Sequence, residues 1–486
     1  MGQQTLLDRP AERSATRRSR WWSFVPSYAL MVIVPLGCAL LILWGGGRDG
    51  PAGSVHGGLP GSRTTVLFLL AITVIMVAAW TAGGVAQRLG QPPVVGEIVA
   101  GLLFGPSVLG LVWPDAVRLL APVQPYVEML SNLGLVLFMF IVGLELNLSL
   151  VRGHGHIVLA VGHASTAVPF VLGIGLGLLS YPRLASPGIG LIPYTLFVGL
   201  AVSMTALPVL ARILYERRLQ RTRIGVLALS AAAVADVTGW CLLAGVVSIA
   251  TSDSAGGALR TLTLAAAFCA VLFLVCRPAV KWLVGRYEAG RVGDGLMLVA
   301  LLAGTLLSAL TTEWIGIHII FGAFLFGVVI PRNSTRLLEL TGRLETFTVA
   351  FLLPLFFVQV GLRTHLEQVG AGAALWATCG IIVAIAVVGK FLGTSPAARM
   401  TGLPWRQALG LGALMNCRGL TELIVLNIGL DLGILSPELF TMLVIMALVT
   451  TVMTVPVLNL LGITRFPRKS EPDWTGRRTT SDASRS

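Results

Sequence analysis

A single carboxylate, Asp236, lies near the middle of a predominantly apolar stretch that runs from Ile224 to Ala250. The stretch is long enough to cross a bilayer as a helix, where a charged side chain costs at least about 2.5–3.5 kcal/mol. Because burial disfavours the charged form of a carboxyl group, Asp236 could exchange a bound proton for a cation. We therefore predict that Asp236 is the ion site of a transporter. The alternative is a structural aspartate that caps a broken helix or bonds to a neighbour.

Two other apolar segments are interrupted by proline, glycine and polar residues, a pattern typical of the discontinuous helices of transporters. In residues 199–214, Pro208 removes a backbone donor and displaces the turn before it. Ser203 and Thr205 lie in that turn, and their oxygens are candidate cation ligands. In residues 408–430 the apolar pattern is broken by Asn416, Arg418, Gly419, Thr421 and Glu422. The alternative for each segment is a kink that serves packing alone.

Three further ionisable residues are candidates for supporting charge at such a site. Lys390 lies in the inner half of an apolar run, although a lysine near a helix end usually extends its ammonium to the interface. Arg418 and Glu422 are four residues apart, so they share a helix face and can pair with each other. A structural role explains this pair as well as a functional one.

The composition indicates a polytopic α-helical membrane protein. Of 486 residues, 55% are hydrophobic and 12% are charged, against roughly 25% charged in soluble domains. The net charge of +13 comes from basic residues in loops and tails, where membrane topology accounts for it. We expect no nucleic-acid partner, no enzymatic activity, no cofactor and no metal other than a transported monovalent cation. The cysteines are interpreted as small hydrophobic residues because they lie in apolar segments without disulfide or metal spacing: Cys38, Cys241, Cys269, Cys276, Cys379 and Cys417.

Fourteen apolar runs are predicted, most of them near the ~20 residues that a spanning helix needs. Residues 1–22 form a basic tail, and residues 23–63 hold an additional helix, retained rather than cleaved as a signal peptide, and a Gly/Pro linker. Residues 64–462 hold the main membrane domain, and 463–486 are predicted to be a disordered basic tail. No segment is long enough for a nucleotide-binding fold, so ATP-driven pumping is not expected. The runs after the first are residues 64–87, 93–113, 126–149, 156–180, 189–214, 224–250, 261–284, 295–312, 315–331, 346–362, 373–394, 405–430 and 437–462.

The distribution of basic residues predicts the orientation of these runs. If the N-terminus is cytoplasmic, the clusters of Lys and Arg fall in cytoplasmic loops and the external loops carry only scattered charges. We therefore expect a multi-pass protein of the cytoplasmic membrane with both termini inside the cell. The cytoplasmic clusters are Arg217, Arg218, Arg221 and Arg223; Arg277, Lys281, Arg286 and Arg291; and Arg332, Arg336 and Arg343.

Six stretches, in order along the chain, resemble the cation:proton antiporter-2 family. Any one of them is moderately specific, and together they are highly specific. They are RLGQPPVVGEIVAGLLFGPSVLG (88–110), LGLVLFMFIVGLELNL (133–148), SAAAVADVTGW (230–240), GIHIIFGAFLFGVVIPR (316–332), LLPLFFVQVGLRTHL (352–366) and MNCRGLTELIVLNIGLDLGILSPELFTMLVIMALVTT (415–451).

The resemblance implies an all-α fold of about 13–14 transmembrane helices with inverted repeats, divided into a dimerisation domain and an ion-binding core. It implies that two broken helices, matching residues 189–214 and 405–430, cross near the midplane. The acidic residue that the family carries after the first broken helix matches Asp236, and the basic residue before the second matches Lys390. A homodimer is likewise implied. Ala235 stands where the family often has Asp, Asn or Gln, so Lys390 could pair with Asp236 directly or be neutral when buried. Charge counting at this single carboxylate favours electroneutral 1:1 exchange.

The combined prediction is a secondary antiporter that exchanges H⁺ for a monovalent cation, Na⁺ or K⁺, with a role in pH homeostasis. Asp236 binds either ion in turn, Thr205 and Ser203 complete the cation shell, and the other three ionisable residues supply supporting charge. One alternative is a gated potassium channel, which would need a continuous polar path. Others are a non-transporting membrane sensor, which would tolerate loss of Asp236, and an organic-anion carrier, against which a lone carboxylate argues.

Overall fold

The computed structural model describes residues 60–115, 121–145, 155–217, 219, 222–251, 255–331, 334–367 and 372–463. The additional helix predicted at residues 23–44, the linker after it and both basic tails lie outside the described residues, and they remain predictions. The chain divides into two units, Met1–Val77 and Ala78–Ser486. In the first unit, the described part is the beginning of helix α1. All contacts discussed below lie within the second unit.

Regular structure in the described residues is helical. In chain order the helices are α1 (Pro60–Arg88), α2 (Pro93–Phe104), α3 (Gln124–Glu145), α4 (Gly155–Leu184), α5 (Leu191–Ser203), α6 (Leu207–Glu216), α7 (Arg223–Thr251), α8 (Ala255–Val271), α9 (Arg277–Glu288), α10 (Asp294–Ile315), α11 (Ile319–Val329), α12 (Thr335–Phe347), α13 (Leu353–Leu362), α14 (Ala373–Met400), α15 (Trp405–Met415), α16 (Leu420–Asp431) and α17 (Pro437–Leu460). Single π-helical turns, Leu272–Cys276 and Thr348–Leu352, join α8 to α9 and α12 to α13.

The thirteen apolar runs predicted between residues 64 and 462 all coincide with helices. Among the described residues, ten helices are long and apolar enough to span a membrane, or eleven when α15 and α16 count as one bent span. Two predicted runs differ from expectation, because α2 has only 12 residues and α11 only 11. At 1.5 Å per residue these helices are about 16–18 Å long, well short of the ~30 Å hydrocarbon core.

The order of helices occurs twice along the chain. A long helix, a short one, two long ones, a broken one and a long one follow each other from α1 to α7, and again from α10 to α17. The α8–α9 helix connects the two sets. A repeated order of this kind is what the inverted repeats expected from the sequence require.

Packing sorts the helices into two groups. Helices α4–α7 pack with one another and with α14–α17, and we call these eight helices the core group. Helices α2 and α3 pack with α10–α13, and we call these six the scaffold group. Glycines permit close approach within the scaffold: a Cβ on Gly361 would lie 1.9 Å from the Gly101 carbonyl oxygen, and one on Gly143 would lie 2.1 Å from that of Phe324. Each group therefore contains helices from both repeats.

Both interrupted segments are broken helices, as the sequence predicts. In the first, α5 ends at Ser203 and α6 begins at Leu207, with Met204 and Ala206 in extended conformation. Pro208 lies in the first turn of α6, where its missing N–H costs no helical hydrogen bond. In the second, residues 416–419 separate α15 from α16, and the two half-helices are bent by 45°. Each break leaves helix-end carbonyls and amides inside the protein, and these need partners.

Candidate functional site

The two breaks cross, and one backbone and one side-chain hydrogen bond join them. The amide of Ala206 donates to the carbonyl oxygen of Cys417 at 3.0 Å, and the Thr205 hydroxyl donates to that of Met415 at 3.1 Å. A Cβ on Gly419 would lie 2.5 Å from a methyl group of Val209 in α6, so glycine allows this approach. The crossing brings together ends of four half-helices within the core group.

The last carbonyls of α5 are satisfied by two buried cations. The Arg418 guanidinium donates to the carbonyl oxygens of Ala201, at 2.9 Å, and Val202. Lys390 Nζ on α14 donates to that of Ser203 at 2.5 Å. A helix C-terminus carries a partial negative charge, so cations at this end are stabilised. Both side chains have 0% exposure, so the positive charges are held inside the protein by the broken helix.

Arg418 also forms a buried ion pair with Glu422 at 2.8 Å, between side chains that are both 0% exposed. This is the pair that the spacing of four predicts, although Arg418 lies in the break and Glu422 in the first turn of α16. The Thr451 hydroxyl of α17 accepts from the Arg418 amide at 3.1 Å and donates to the Arg418 carbonyl at 2.7 Å. The backbone and side chain of Arg418 are therefore both fixed.

Lys390 reaches three oxygens of uncharged groups. Besides the Ser203 carbonyl, its Nζ lies 3.0 Å from the Ser165 carbonyl oxygen on α4 and 2.6 Å from the Thr205 hydroxyl. Its burial excludes the alternative that the ammonium extends to the membrane interface. The Ser203 hydroxyl instead donates to the Leu200 carbonyl in its own helix at 2.9 Å. At Ser203 it is therefore the carbonyl, and at Thr205 the side chain, that faces the ammonium.

Asp236 on α7 is 1% exposed, and neither carboxylate oxygen makes a hydrogen bond of good geometry to a side chain or backbone group among the described residues. The backbone amide of Leu207, the first residue of α6, interacts with the carboxylate as a weak hydrogen-bond donor, and the Lys390 ammonium acts on it electrostatically. A Cβ on Gly239, one turn after Asp236, would lie 2.7 Å from the Met204 sulfur, which places this face of α7 against the first break. Asp236 thus faces the positive end of a half-helix.

The arrangement is suited to binding one small cation or one proton. An ionised carboxylate buried without a partner costs several kcal/mol, so a bound proton or metal cation stabilises Asp236. The oxygens of Ser203 and Thr205 are of the type that alkali cations prefer. Some groups of this site could not be found from sequence, because the carbonyls of Ala201 and Val202 leave no side-chain signal. The Ser165 carbonyl could have been noticed, because Pro169, four residues later in α4, cannot donate to it. Thr451 could have been noticed as part of a threonine-rich section of α17.

The chain matches known proteins over most of its length. The family profile described as "Sodium/hydrogen exchanger, transmembrane" matches residues 71–460. The chain is 41% identical to the Na(+)/H(+) antiporter NhaS4 of Synechocystis over 400 residues, which cover 82% of this chain and 97% of the relative. It is 32% identical to the K(+)/H(+) antiporter 1 of Saccharomyces cerevisiae over 412 residues, which cover 82% of this chain and 47% of that longer protein.

A solved structure supports the fold. The sodium proton antiporter MjNhaP1 from Methanocaldococcus jannaschii superposes with a TM-score of 0.61, and the match covers 82% of this chain and 99% of that one. The sequence identity is 12%, so this similarity concerns the arrangement of helices alone.

Proposed function

The chain belongs to the sodium/hydrogen exchanger family, and on this premise we propose that it exchanges H⁺ for a monovalent cation, Na⁺ or K⁺, across the cytoplasmic membrane. This family agrees with the resemblance that the sequence motifs indicate. The protein is therefore a multi-pass membrane transporter. The observation that carries the proposal is Asp236, a buried carboxylate beside two crossed helix breaks, for which the described residues supply no hydrogen bond of good geometry.

Asp236 binds either H⁺ or a dehydrated cation, and never both. In the cation-bound state, the Thr205 hydroxyl and the Ser203 carbonyl join the carboxylate as ligands, and Lys390 moves off these two oxygens. In the proton-bound state, Lys390 holds them, as in this structure. The ammonium therefore acts as a tethered cation that keeps the oxygens satisfied when no substrate cation is bound.

Transport requires access to Asp236 from alternate sides. We assign this movement to the core group, which packs mainly within itself and carries both breaks, against the scaffold group. Competition for one carboxylate then makes cation and proton movement obligatorily coupled. One carboxylate per site, with Ala235 beside it, supports electroneutral 1:1 exchange. A homodimer built on the scaffold group and cytoplasmic termini complete the proposal, together with a role in pH homeostasis.

The direct test is an exchange assay in proteoliposomes that contain a pH-sensitive dye. A preset pH gradient is challenged in turn with Na⁺, K⁺ and Li⁺, and the expected result is dissipation by at least one of them. With valinomycin and K⁺ clamping the voltage, electroneutral exchange of Na⁺ proceeds at an unchanged rate. Cation flux that persists without a counter-flow of protons would favour a channel instead, and no dissipation by any of the cations would contradict the proposal.

Substitutions of Thr205 and Ser203, the two residues of the first break whose oxygens face Lys390, should change the exchange rate by different amounts. We expect Thr205→Val to reduce the initial exchange rate at subsaturating cation roughly 10- to 100-fold. The reason is that a hydrogen bond to a charged group contributes about 1.5–3 kcal/mol. Ser203→Ala should change the rate by less than about 3-fold, since the lost hydroxyl bonds only within α5. Equal losses in the two variants would show that the Ser203 side chain, not its carbonyl, serves the site.

A further inference from the structure

A cavity of about 70 Å³ lies between the scaffold and core groups, on the membrane face where α3 begins and α13 and α16 end. We call this cavity the vestibule. Its scaffold walls are formed by α3, α13 and the start of α11, and its core wall is α16. On α16 it extends from Asp431 to Ile424, two residues from Glu422 of the ion site. The vestibule therefore leads from one membrane face toward the crossing of the breaks.

An ion pair bridges the two groups at the vestibule. Arg363, at the end of α13, donates Nη2 to the Glu128 carboxylate of α3 at 2.7 Å. Its Nη1 donates to the Asp431 carboxylate at 2.5 Å and to the Asn427 side-chain oxygen at 3.2 Å. Arg363 and Glu128 belong to the scaffold, whereas Asn427 and Asp431 belong to the core half-helix α16. The guanidinium therefore links the scaffold group to the core group.

Three residues that line the vestibule, Ser131, Gln359 and His318, have a buried polar atom without a hydrogen-bond partner among the described residues. Ser131 on α3 is 0% exposed and Gln359 on α13 is 5% exposed, and neither the Ser131 hydroxyl nor the Gln359 carbonyl oxygen is hydrogen-bonded in the described part of the chain. A packing interface rarely buries such groups unpaired. Their presence in a cavity large enough for several water molecules indicates a wall that water or an ion contacts during the transport cycle.

We propose that the Arg363–Asp431 ion pair is the gate of the vestibule, closed in this structure and broken whenever the core group moves. The inference rests on the proposed function, because it assigns this pair a step in alternating access. Helix α16 carries Glu422 at its start and Asp431 at its end, so movement of the ion site displaces Asp431. Glu128 retains Arg363 on the scaffold. Opening frees the Asp431 carboxylate to attract cations, and Arg363 is a positioning residue that touches no transported ion.

Accessibility of the vestibule tests this gate without any measurement of transport. Ser131→Cys places a thiol in the wall, and its reaction with a membrane-impermeant methanethiosulfonate is followed by mass spectrometry of the peptide that contains residue 131. We expect Arg363→Gln and Asp431→Asn each to raise the labelling rate about 3- to 10-fold. The double variant should label no faster than the faster single variant, because both changes remove the same pair.

The matched control is Arg336→Gln. It removes the Arg336–Asp294 ion pair of 2.6 Å, which lies wholly within the scaffold group, and it should leave the labelling rate unchanged. Arg363→Lys keeps the charge, so the labelling rate of Ser131→Cys should be intermediate in this variant. It replaces Arg363→Gln in the test if that variant does not fold. An unchanged rate in Arg363→Gln and Asp431→Asn, or additive effects in the double variant, would overturn the gate.

The gate and the proposed function can fail separately. Normal exchange in proteoliposomes together with unchanged labelling in the gate variants would reject the gate and leave the antiporter intact. Absence of exchange in the parent protein, together with faster labelling in the gate variants, would reject the proposed function and retain Arg363–Asp431 as the closure of the vestibule.

Discussion

We expect Asp236→Asn to abolish cation-dependent dissipation of a pH gradient and to leave the protein folded. The amide cannot exchange a proton for a cation, whereas its size and its ability to accept a hydrogen bond from a helix N-terminus match those of the carboxylate. If coupling depends on this one titratable group, the exchange rate falls to that of protein-free liposomes, a loss of at least about 100-fold. The measurement is the dye-loaded proteoliposome assay on both proteins at equal reconstitution.

The same variant decides between a functional and a structural Asp236. A structural aspartate that only caps α6 would be replaced by asparagine at little cost in stability or activity. The control is the melting temperature in detergent, which should stay within a few degrees of the parent value. Full exchange in Asp236→Asn would show that another group carries the proton, and a collapse in melting temperature would support the structural role.

Arg418→Met has the largest expected effect on stability. The substitution leaves Glu422 buried without its partner and removes the donors to the Ala201 and Val202 carbonyls at the end of α5. Breaking a buried ion pair by removing one partner costs about 3–5 kcal/mol. We expect a melting temperature in detergent lower by roughly 10 °C and loss of exchange, because α5 is no longer held against the second break.

Second substitutions separate the ion pair from the helix cap. Glu422→Gln keeps an acceptor for Arg418 and should lower the melting temperature much less than Arg418→Met. The double variant Arg418→Met, Glu422→Met removes the unpaired charge, so part of the stability returns; the rest does not, because the α5 carbonyls still lack donors. A melting temperature unaffected by Arg418→Met would refute the assigned role of the guanidinium.

The sequence predicts the elements of this fold well because each depends on local features. The lengths of the apolar runs locate the membrane-spanning helices. Pro208 and the polar residues around Gly419 locate the two helix breaks. The exceptions are α2, which ends at Phe104 although its apolar run continues to residue 113, and α11, which begins only at Ile319 in a run that starts at residue 315 and ends at Val329. Their predicted length came from hydrophobicity, which does not distinguish a long helix from a short one continued by an apolar loop.

The partners of the charged residues could not be predicted from the sequence. The spacing of Arg418 and Glu422 indicates their ion pair, because that contact is local. Lys390, by contrast, was expected to pair with Asp236, to be neutral when buried or to reach the interface, yet it bonds to oxygens of Ser165, Ser203 and Thr205. The Ser203 carbonyl is free because α5 ends there, and the Ser165 carbonyl is free because Pro169, four residues later in α4, has no N–H to donate. The sequence shows Pro169, but it does not show that Lys390 lies beside both carbonyls.

Competition between protons and the cation at Asp236 is the central claim, and its most direct test is the cation dependence of exchange at several pH values. The initial rate is measured in proteoliposomes over a range of cation concentration, from pH 5.5 to 9. One shared carboxylate predicts that the apparent KM for the cation rises as pH falls, approaching about tenfold per pH unit on the acid side, while the maximal rate at saturating cation is retained. An apparent KM that is independent of pH, with a maximal rate that falls instead, would mean that proton and cation bind at separate sites and would contradict the mechanism.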